Sequence, residues 1–372
     1  MAGRKSKRVY EGNISGSQTK VAAPAISYEP RGPRKYNPPI GLIGCGGITE
    51  KHLAAYKAAG FRVVALCDTD EARAKERRAQ FYPKADIHSE YLELLERGDI
   101  EVVDIATHPR ERVPIIAAAL SMKKHVLSQK PFVLDLREGE RLCTLAEQHG
   151  VKLAVNQNGR WAPHFSYLRQ AIEKGVIGDV HSAQFSVHWD HNWIAGTPFD
   201  AIKHVLLYDF AIHWFDILTC FMRGHAPLAV NASIAHTTTQ RAKPALLAHV
   251  TVDYEHAQAT LMFDADMRFG QVDSTIVYGS MGTLSCTGPN LTAQRVTLHT
   301  RKGIARPKLK GTWFKQGFQG TMAELLRSIE EHREPSNNAR ENLKSLALCF
   351  AAVASAESGA PVVPGSVTQL ST

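Results

Sequence analysis

The stretch that decides the fold is PIGLIGCGGIT, residues 39–49. Its apolar run, Ile40–Ile43, ends in a glycine-rich turn, and an amphipathic segment follows the turn directly. A strand that turns through glycines into a helix lets main-chain N–H groups approach a pyrophosphate at the helix N-terminus. The stretch therefore predicts the first strand of a doubly wound sheet and a dinucleotide site at the turn. The residues expected to hold the dinucleotide are Gly44, Gly46, Gly47 and Ile48.

Outward from this stretch, short apolar runs alternate with amphipathic helices as far as residue 156. This alternation indicates βαβ units around a parallel sheet. The predicted strands are 40–43, 62–68, 102–106, 125–128 and 152–156, and the predicted helices are 49–59, 70–81, 113–122 and 136–149.

The pattern changes after residue 156. A helix at 163–174 precedes segments with alternating apolar and polar residues, and these segments predict an antiparallel sheet. They span 180–189, 228–236, 246–254, 258–263, 271–277 and 282–286, and two helices at 322–333 and 337–357 follow them.

The predicted fold class is therefore α/β, with an N-terminal Rossmann doubly wound parallel sheet and a C-terminal α+β domain whose large sheet is mainly antiparallel. The first domain covers 37–157 and the second 158–372, and helices within 322–357 are candidates to pack back on the first domain. We expect a homodimer or homotetramer through the second sheet, because its outer face is expected to be apolar. The residues that suggest an apolar face are Leu247, Val250, Val252 and Leu261.

The net charge of +8 is concentrated at the N-terminus. Residues 1–36 hold eight Lys or Arg and two Glu, which leaves 36 basic and 34 acidic residues in the remainder. This distribution predicts a flexible basic tail and disfavours nucleic acid as a partner. The sequence shows no apolar run of membrane-spanning length and no secretory signal, so we expect a cytoplasmic protein without a membrane partner. Its six cysteines form no Cys-x-x-Cys pair, and we expect no metal site.

Asp68 ends the second predicted strand, 22 residues beyond Gly46. A carboxylate at this spacing is placed to accept a hydrogen bond from the adenosine ribose, whereas it would repel the 2′-phosphate of NADP. The sequence therefore favours NAD over NADP as the cofactor, although Arg73 lies close by in the chain.

Several further motifs occur in order along the chain: KKHVLSQKP at 123–131, NGRW at 158–161 and DFAIHWFD at 209–216. Together with the glycine turn they resemble the Gfo/Idh/MocA oxidoreductases, the family of glucose–fructose oxidoreductase and inositol 2-dehydrogenase. The resemblance implies that Lys130 touches a substrate hydroxyl, and that Asp209 and His213 position and deprotonate it. It also implies that the cofactor site includes Thr107, Gln129, Lys130 and Asn158. Three positions depart from the family pattern: Gln129 replaces the usual Glu, Arg112 stands where His is common, and His108 stands where the family has Pro after Thr107.

The residues support these roles on their own chemistry. Asp209 and His213 are four apart, so on a helix both would project from one face and the carboxylate could bias the imidazole. Oxidation of an alcohol requires a base for the hydroxyl proton, and a neutral imidazole suits that task. Lys130 follows a predicted strand at the carboxyl edge of the sheet, where ligands of such folds bind, and can stabilise a developing alkoxide.

The segment SVHWDHNW, 186–193, combines aromatic rings with hydrogen-bonding groups, as sugar sites do. Candidate substrate contacts are Arg160, Trp161, His188, Trp193, Asp209 and His213. The expected function is hydride transfer between a secondary hydroxyl of a sugar, sugar acid or polyol and the nicotinamide.

Three alternatives stay open. The first is a metal site built from His188, His191, Asp209 and His213. The second is a sugar-modifying hydrolase, lyase or epimerase that oxidises its substrate only transiently. The third is a non-catalytic dinucleotide-binding regulator whose basic tail contacts nucleic acid.

Overall fold

A computed structural model describes residues 19–370. The strands of the first domain are β1 Pro39–Ile43, β2 Arg62–Cys67, β3 Asp86–His88, β4 Val102–Ile105, β5 His125–Gln129 and β6 Leu153–Asn156. They form one parallel sheet in the order β3-β2-β1-β4-β5-β6, so the order reverses between β1 and β4. Ligands of doubly wound sheets bind outside the carboxyl ends of the strands at this reversal.

The helices of the first domain are α1 Thr49–Ala59, α2 Glu71–Phe81, α3 Tyr91–Leu95, α4 Pro109–Ser121 and α5 Leu136–His149. The predicted parallel sheet and its helices are confirmed. The sequence did not predict β3 and α3, because three and five residues are too few for a hydrophobic period to show.

The second domain contains the strands β7 Val180–His188, β8 Pro227–Ala235, β9 Leu247–Tyr254, β10 Gln258–Asp264, β11 Asp273–Gly279, β12 Gly282–Gly288, β13 Arg295–Thr300 and β14 Gly303–Ala305. Their order is β14-β13-β12-β11-β7-β10-β9-β8, and all neighbours are antiparallel except the central pair β7 and β10. The mainly antiparallel sheet is thus confirmed, and β13 and β14 extend it beyond the six predicted strands.

The remaining helices are α6 Pro163–Glu173, α7 Ile212–Phe221, α8 Trp313–Glu330 and α9 Ala339–Ser358. Residues of α6, α7 and α9 share one core with the inner face of the large sheet. In contrast, α8 packs on α1, where Met322, Leu325 and Leu326 join Leu42 and Leu53 in the core of the first domain. The far end of the chain therefore completes the first domain.

Of the four residues that suggested an apolar outer face, Val250, Val252 and Leu261 point inward, which corrects that part of the prediction, whereas Leu247 lies half-buried on the outer face. Val250 pairs with Leu261 across the two strands, and Val250, Val252 and Leu261 are each at most 1 % exposed. Strand residues alternate between faces, so the opposite face carries their polar neighbours, such as His249 and Thr251. Assembly through this face stays a prediction.

The sequence predicts a flexible tail over residues 1–36. Residues 19–36, the part of it that the structure describes, do not form a free tail, so the prediction is wrong for them. Lys20 pairs with Ile304 of β14, and the main-chain oxygen of Tyr28 accepts a hydrogen bond from Ser166 of α6. The carboxylate of Glu330 accepts hydrogen bonds from the main-chain N–H groups of Arg34, Lys35 and Tyr36. These contacts define an N-terminal strap, residues 19–36, that lies against its own chain. Residues 1–18 lie outside the described residues.

Among residues 19–370, no helix combines the length and apolar character needed to cross a membrane. The same part of the chain holds no group of three or more His, Cys, Asp or Glu side chains arranged to bind a metal. The alternative metal set of His188, His191, Asp209 and His213 is therefore not assembled.

Candidate active site

The glycine turn joins β1 to α1 at the reversal of strand order. Gly44 has φ +91°, and a Cβ there would lie 3.0 Å from main-chain atoms of Ala106 and Thr107, so only glycine fits. A Cβ on Gly46 or Gly47 would meet no atom of residues 19–370 within 4 Å. The turn thus packs tightly against the end of β4 on one side and leaves the N-terminus of α1 open on the other, as a pyrophosphate requires.

Asp68 follows β2 and lies beside this turn. Its Oδ2 accepts a hydrogen bond of 2.7 Å from the main-chain N–H of Cys45, and its Oδ1 accepts one of 2.9 Å from that of Asp70. A carboxylate offers about four acceptor positions. Asp68 can therefore fix the turn and still accept a ribose hydroxyl, which fits NAD.

Buried polar atoms without partners gather after β4 and β6. In the described part of the chain, no hydrogen bond reaches Thr107 Oγ1, Asn156 Oδ1, Asn158 Nδ2 or either side-chain polar atom of Gln157. An unsatisfied buried polar group costs about 1–3 kcal/mol, so such a cluster indicates a ligand surface. The residues of this edge fit a nicotinamide ribose and amide. The sequence did not predict Gln157, and its position directly after a strand was the available signal.

Lys130 follows β5 and faces Asp209. The Nζ atom of Lys130 lies 3.0 Å from Oδ2 and 2.9 Å from the main-chain oxygen of Asp209. Both side chains are about 85 % buried, with 16 % and 14 % exposure. Two of the three ammonium donors are used within the described chain, and the third is available to a substrate oxygen.

A widened turn sets the direction of Asp209. Residues Leu206–Phe210 form a π-helical turn before α7, and the N–H of Ala211 bonds to the carbonyl of Leu206, five residues earlier. Such turns alter the angular spacing of side chains and occur at functional sites. Asp209 therefore pairs with Lys130, and the described residues show no hydrogen bond between Asp209 and His213. This corrects the predicted carboxylate–imidazole pair.

Two imidazoles flank the ion pair. Burial, reinforced by the positive charge of Lys130, holds the pKa of His213 well below its usual value. Burial also lowers the pKa of His191 to about 4, against the opposing charges of Asp209 and Asp190. In residues 19–370 the Nδ1 atom of each ring is buried and has no partner. Both rings are neutral at physiological pH and able to accept a proton.

Aromatic rings surround these histidines. The His191 ring lies 4.1 Å from that of Phe210 and 5.0 Å from that of Trp189, and the His213 ring lies 5.6 Å from that of Trp313. Trp193, which is 54 % exposed, packs edge-on against Phe199 and Phe210. The sequence analysis did not single out Phe210, although it lies within the DFAIHWFD motif, or Trp313, which lies in none of the motifs.

The other predicted substrate contacts have partners within the protein. Arg160 is 3 % exposed and binds Asp216 through two side-chain hydrogen bonds, so it belongs to the core. Trp161 is buried against Gly320 and has Arg169 over its ring. His188 contacts the main-chain oxygen of Val272 with Nδ1 and Ser186 Oγ with Nε2. Of the four, Trp193 is the one that the structure leaves on the open aromatic surface.

Arg112 joins the ends of β4 and β5. Its guanidinium donates to the main-chain oxygens of Thr107, Gln129 and Pro131, on both sides of Lys130. Burial lowers the pKa of Arg112 to about 10, so the side chain is still charged at neutral pH. The sequence marked Arg112 as a departure from the family pattern and could not show this bracing role.

The sheet, the glycine turn and Asp68 together have the geometry of an NAD-binding domain. Residues 39–157 match the model described as "Oxidoreductase family, NAD-binding Rossmann fold", and residues 165–285 match the GFO/IDH/MocA C-terminal domain. The chain belongs to the Gfo/Idh/MocA oxidoreductase family.

Two curated relatives and one solved structure illustrate the similarity. D-apiose dehydrogenase of Paraburkholderia graminis is 28 % identical over 86 % of this chain and 88 % of its own length. Inositol 2-dehydrogenase of Rhizobium meliloti is 25 % identical over 85 % of this chain and 96 % of its own. An Agrobacterium radiobacter oxidoreductase, solved with NAD+, L-tartaric acid and magnesium, superposes with a TM-score of 0.79 at 23 % identity, covering 88 % of this chain and 99 % of that one.

Proposed function

We propose that the protein is an NAD-dependent dehydrogenase that oxidises a secondary hydroxyl of a sugar, sugar acid or polyol, with Lys130, Asp209 and His213 at the reaction centre. The observation that carries this proposal is the ion pair between Lys130 and Asp209, which lies beside two neutral imidazoles at the carboxyl edge of the sheet. The named activities of the D-apiose and inositol relatives support the substrate class.

Each residue has one task in this reaction. The remaining ammonium donor of Lys130 binds the substrate hydroxyl oxygen and stabilises the negative charge that develops there. Asp209 holds the ammonium in place with its carboxylate and its main-chain oxygen. Because His213 is neutral and its Nδ1 is unpartnered within residues 19–370, it accepts the hydroxyl proton. Bound NAD would accept the hydride that leaves the carbon bearing this hydroxyl.

The aromatic surface supports a carbohydrate-like substrate. The rings of Trp189, His191, Trp193 and Phe210 pack against one another, and His191 interacts with the charges of both Lys130 and Asp209. Sugars and cyclic polyols have apolar C–H faces between their hydroxyls, and aromatic rings suit those faces.

The test offers the purified protein NAD and a panel of inositols, aldoses, sugar acids and glycosides, and follows absorbance of reduced nicotinamide. We expect growth of this band with one substrate class. Lys130→Met should lower kcat by about 10²–10³-fold, because one stabilising donor is removed, and should leave NAD binding largely intact. Lys344→Met, which changes an exposed lysine, is the matched control.

Two results would contradict the proposal. Product detected by mass spectrometry without growth of the band would show a transient-oxidation enzyme instead. NAD binding without turnover of any panel member would favour a non-catalytic regulator.

A further inference from the structure

Behind Lys130, buried side chains form one hydrogen-bonded chain that runs from α1 to the end of β5. Tyr56 Oη donates to Asp104 Oδ2 at 2.8 Å, and His52 Nδ1 lies 2.8 Å from the same oxygen. Gln129 Nε2 lies 2.9 Å from His52 Nε2, and Gln129 Oε1 accepts a 2.6 Å hydrogen bond from the main-chain N–H of Lys130. We call this chain the His52 relay; Tyr56, His52 and Asp104 are fully buried and Gln129 is 6 % exposed.

The main-chain N–H of Lys130 fixes the protons of the whole relay. An N–H can only donate, so the atom of Gln129 that faces it must be the carbonyl oxygen. The carboxamide nitrogen then faces His52 and donates, which requires an unprotonated Nε2. A neutral imidazole carries one proton, so that proton is on Nδ1 and is donated to Asp104. The second donor near His52 Nε2, Asn156 Nδ2 at 3.3 Å, agrees with this assignment.

Aromatic rings and charges surround the relay. The Phe318 ring lies 4.2 Å from the His52 ring and covers it, and Tyr56 lies on another side. The negative charge of Asp104 also acts on the buried guanidinium of Arg112 and raises the pKa of that side chain against the effect of burial. Burial and the charge of Asp104 raise the pKa of Tyr56 well above its usual value, so its hydroxyl keeps its proton and donates.

We propose that His52 is a positioning residue for Lys130: as a neutral, Nδ1-protonated imidazole it fixes the Gln129 carboxamide, which fixes the main chain of Lys130 and aims its ammonium at Asp209. The proposal rests on the proposed function, because it assigns a role within the same site.

Protonation of His52 would break the relay. An imidazolium places N–H groups on both ring nitrogens, so Nε2–H would face the Gln129 NH₂ group, donor against donor. If the carboxamide turned over to receive it, its NH₂ group would face the N–H of Lys130 instead. A glutamate at position 129 avoids this conflict, because a carboxylate accepts from both neighbours.

The first experiment compares the pH dependence of kcat/KM in the wild type and in Gln129→Glu. We expect the acid limb of Gln129→Glu to lie lower by at least about one pH unit, which corresponds to about tenfold in the relevant protonation equilibrium. Ordinary charge effects predict the opposite, since an added carboxylate beside Lys130 favours protonation of His191 and His213 and would move the limb upward. Superimposable profiles, or an upward shift, would overturn the proposal.

Two ring variants separate positioning from packing. His52→Phe keeps an aromatic ring and removes both nitrogens, and we expect about a tenfold loss of kcat with an unchanged Kd for NAD. Phe318→Leu alters the packing on the His52 ring but removes none of the relay's hydrogen bonds, and it should keep the wild-type profile. Equal losses in both variants would show that the role is packing alone.

The second experiment needs no substrate. In protein labelled with ¹⁵N-histidine, the resonances of His52 are those that disappear in His52→Phe. If that variant does not fold, they are identified as the resonances that shift in Gln129→Glu. We expect the Nδ1–H tautomer at neutral pH, and an Nε2–H or doubly protonated ring would overturn the relay. Absence of turnover in the first experiment would count against the proposed function, whereas the wrong tautomer counts against the relay.

Discussion

Arg160 and Asp216 form a buried ion pair with two hydrogen bonds, Nε to Oδ2 and Nη2 to Oδ1, each 2.6 Å long. The pair links the turn at 158–161 to α7, and Ser345 Oγ donates to the same carboxylate at 3.1 Å. Asp216→Asn leaves the guanidinium buried without its charge partner, so we expect the free energy of unfolding to fall by about 3–5 kcal/mol.

Denaturant unfolding measures this loss. Glu138→Gln, which removes the exposed pair with Arg141, is the control and should change stability by at most about 1 kcal/mol. If Asp216→Asn instead kept its stability and raised KM for the substrate, the result would support the predicted role of Arg160 as a substrate contact.

Stability should fall in acid because buried histidines must take up protons on unfolding. Burial lowers the pKa of His164 to about 3, whereas an unfolded histidine titrates near about 6.5. Between these values the unfolded state binds more protons, so this stabilising contribution is complete above about pH 6.5 and is lost as the pH falls towards 3.

Unfolding curves at pH 7, 6 and 5 measure the slope. Each such histidine adds up to about 1.4 kcal/mol per pH unit to the slope of the free energy of unfolding against pH, and His164→Phe should remove the part of the slope that His164 supplies. His256→Phe, at an exposed position, should keep the wild-type slope. An unchanged slope in His164→Phe would mean that its ring is protonated in the folded protein.

Asp68→Asn should weaken the preference for NAD over NADP. Asparagine keeps one oxygen for the main-chain N–H of Cys45 but removes the charge that repels a 2′-phosphate. We expect the ratio of the two dissociation constants to change by about tenfold, equivalent to about 1.4 kcal/mol. Calorimetric titration with both cofactors measures the ratio, with Asp70→Asn as the neighbouring control. If the ratio were the same in Asp68→Asn and in the wild type, the adenosine ribose would not bind at Asp68.

Glu330→Ala should release the N-terminal strap, because three consecutive main-chain N–H groups lose their shared acceptor. We expect trypsin to cut after Arg34 or Lys35 about tenfold faster, since cleavage follows the population of the opened segment. Glu331→Ala is the matched control, because that carboxylate binds Arg327 and Arg333 instead. Equal cleavage of the two variants would show that other contacts hold the strap.

The sequence predicted those parts of the site that depend on local order along the chain. The glycine turn, Asp68 and Lys130 each directly follow a strand of the parallel sheet, so the fold alone brings them to one edge. The roles of these residues in binding and catalysis stay predictions.

The remaining features depend on packing between distant segments. His52 and Gln129 are 77 residues apart and meet only because α1 lies on the sheet, and Arg160 meets Asp216 across 56 residues. The direction of Asp209 depends on one i→i+5 hydrogen bond, which no pattern of residues in 206–213 indicates. Val250, Val252 and Leu261 belong to the inner face of the large sheet because the alternating apolar residues of a half-exposed strand pack on the core.

The position of α8 has a consequence for the order in which the chain can fold during synthesis. The core beneath β1 and α1 includes Met322, Ala323, Leu325 and Leu326, which leave the ribosome about 270 residues later than Leu53. Until they emerge, the apolar surface of α1 has no cover, so the nascent dinucleotide-binding half must wait as an incomplete intermediate. A fragment that ends at residue 157 would keep this surface exposed and would be prone to aggregate, although it contains every strand of the parallel sheet.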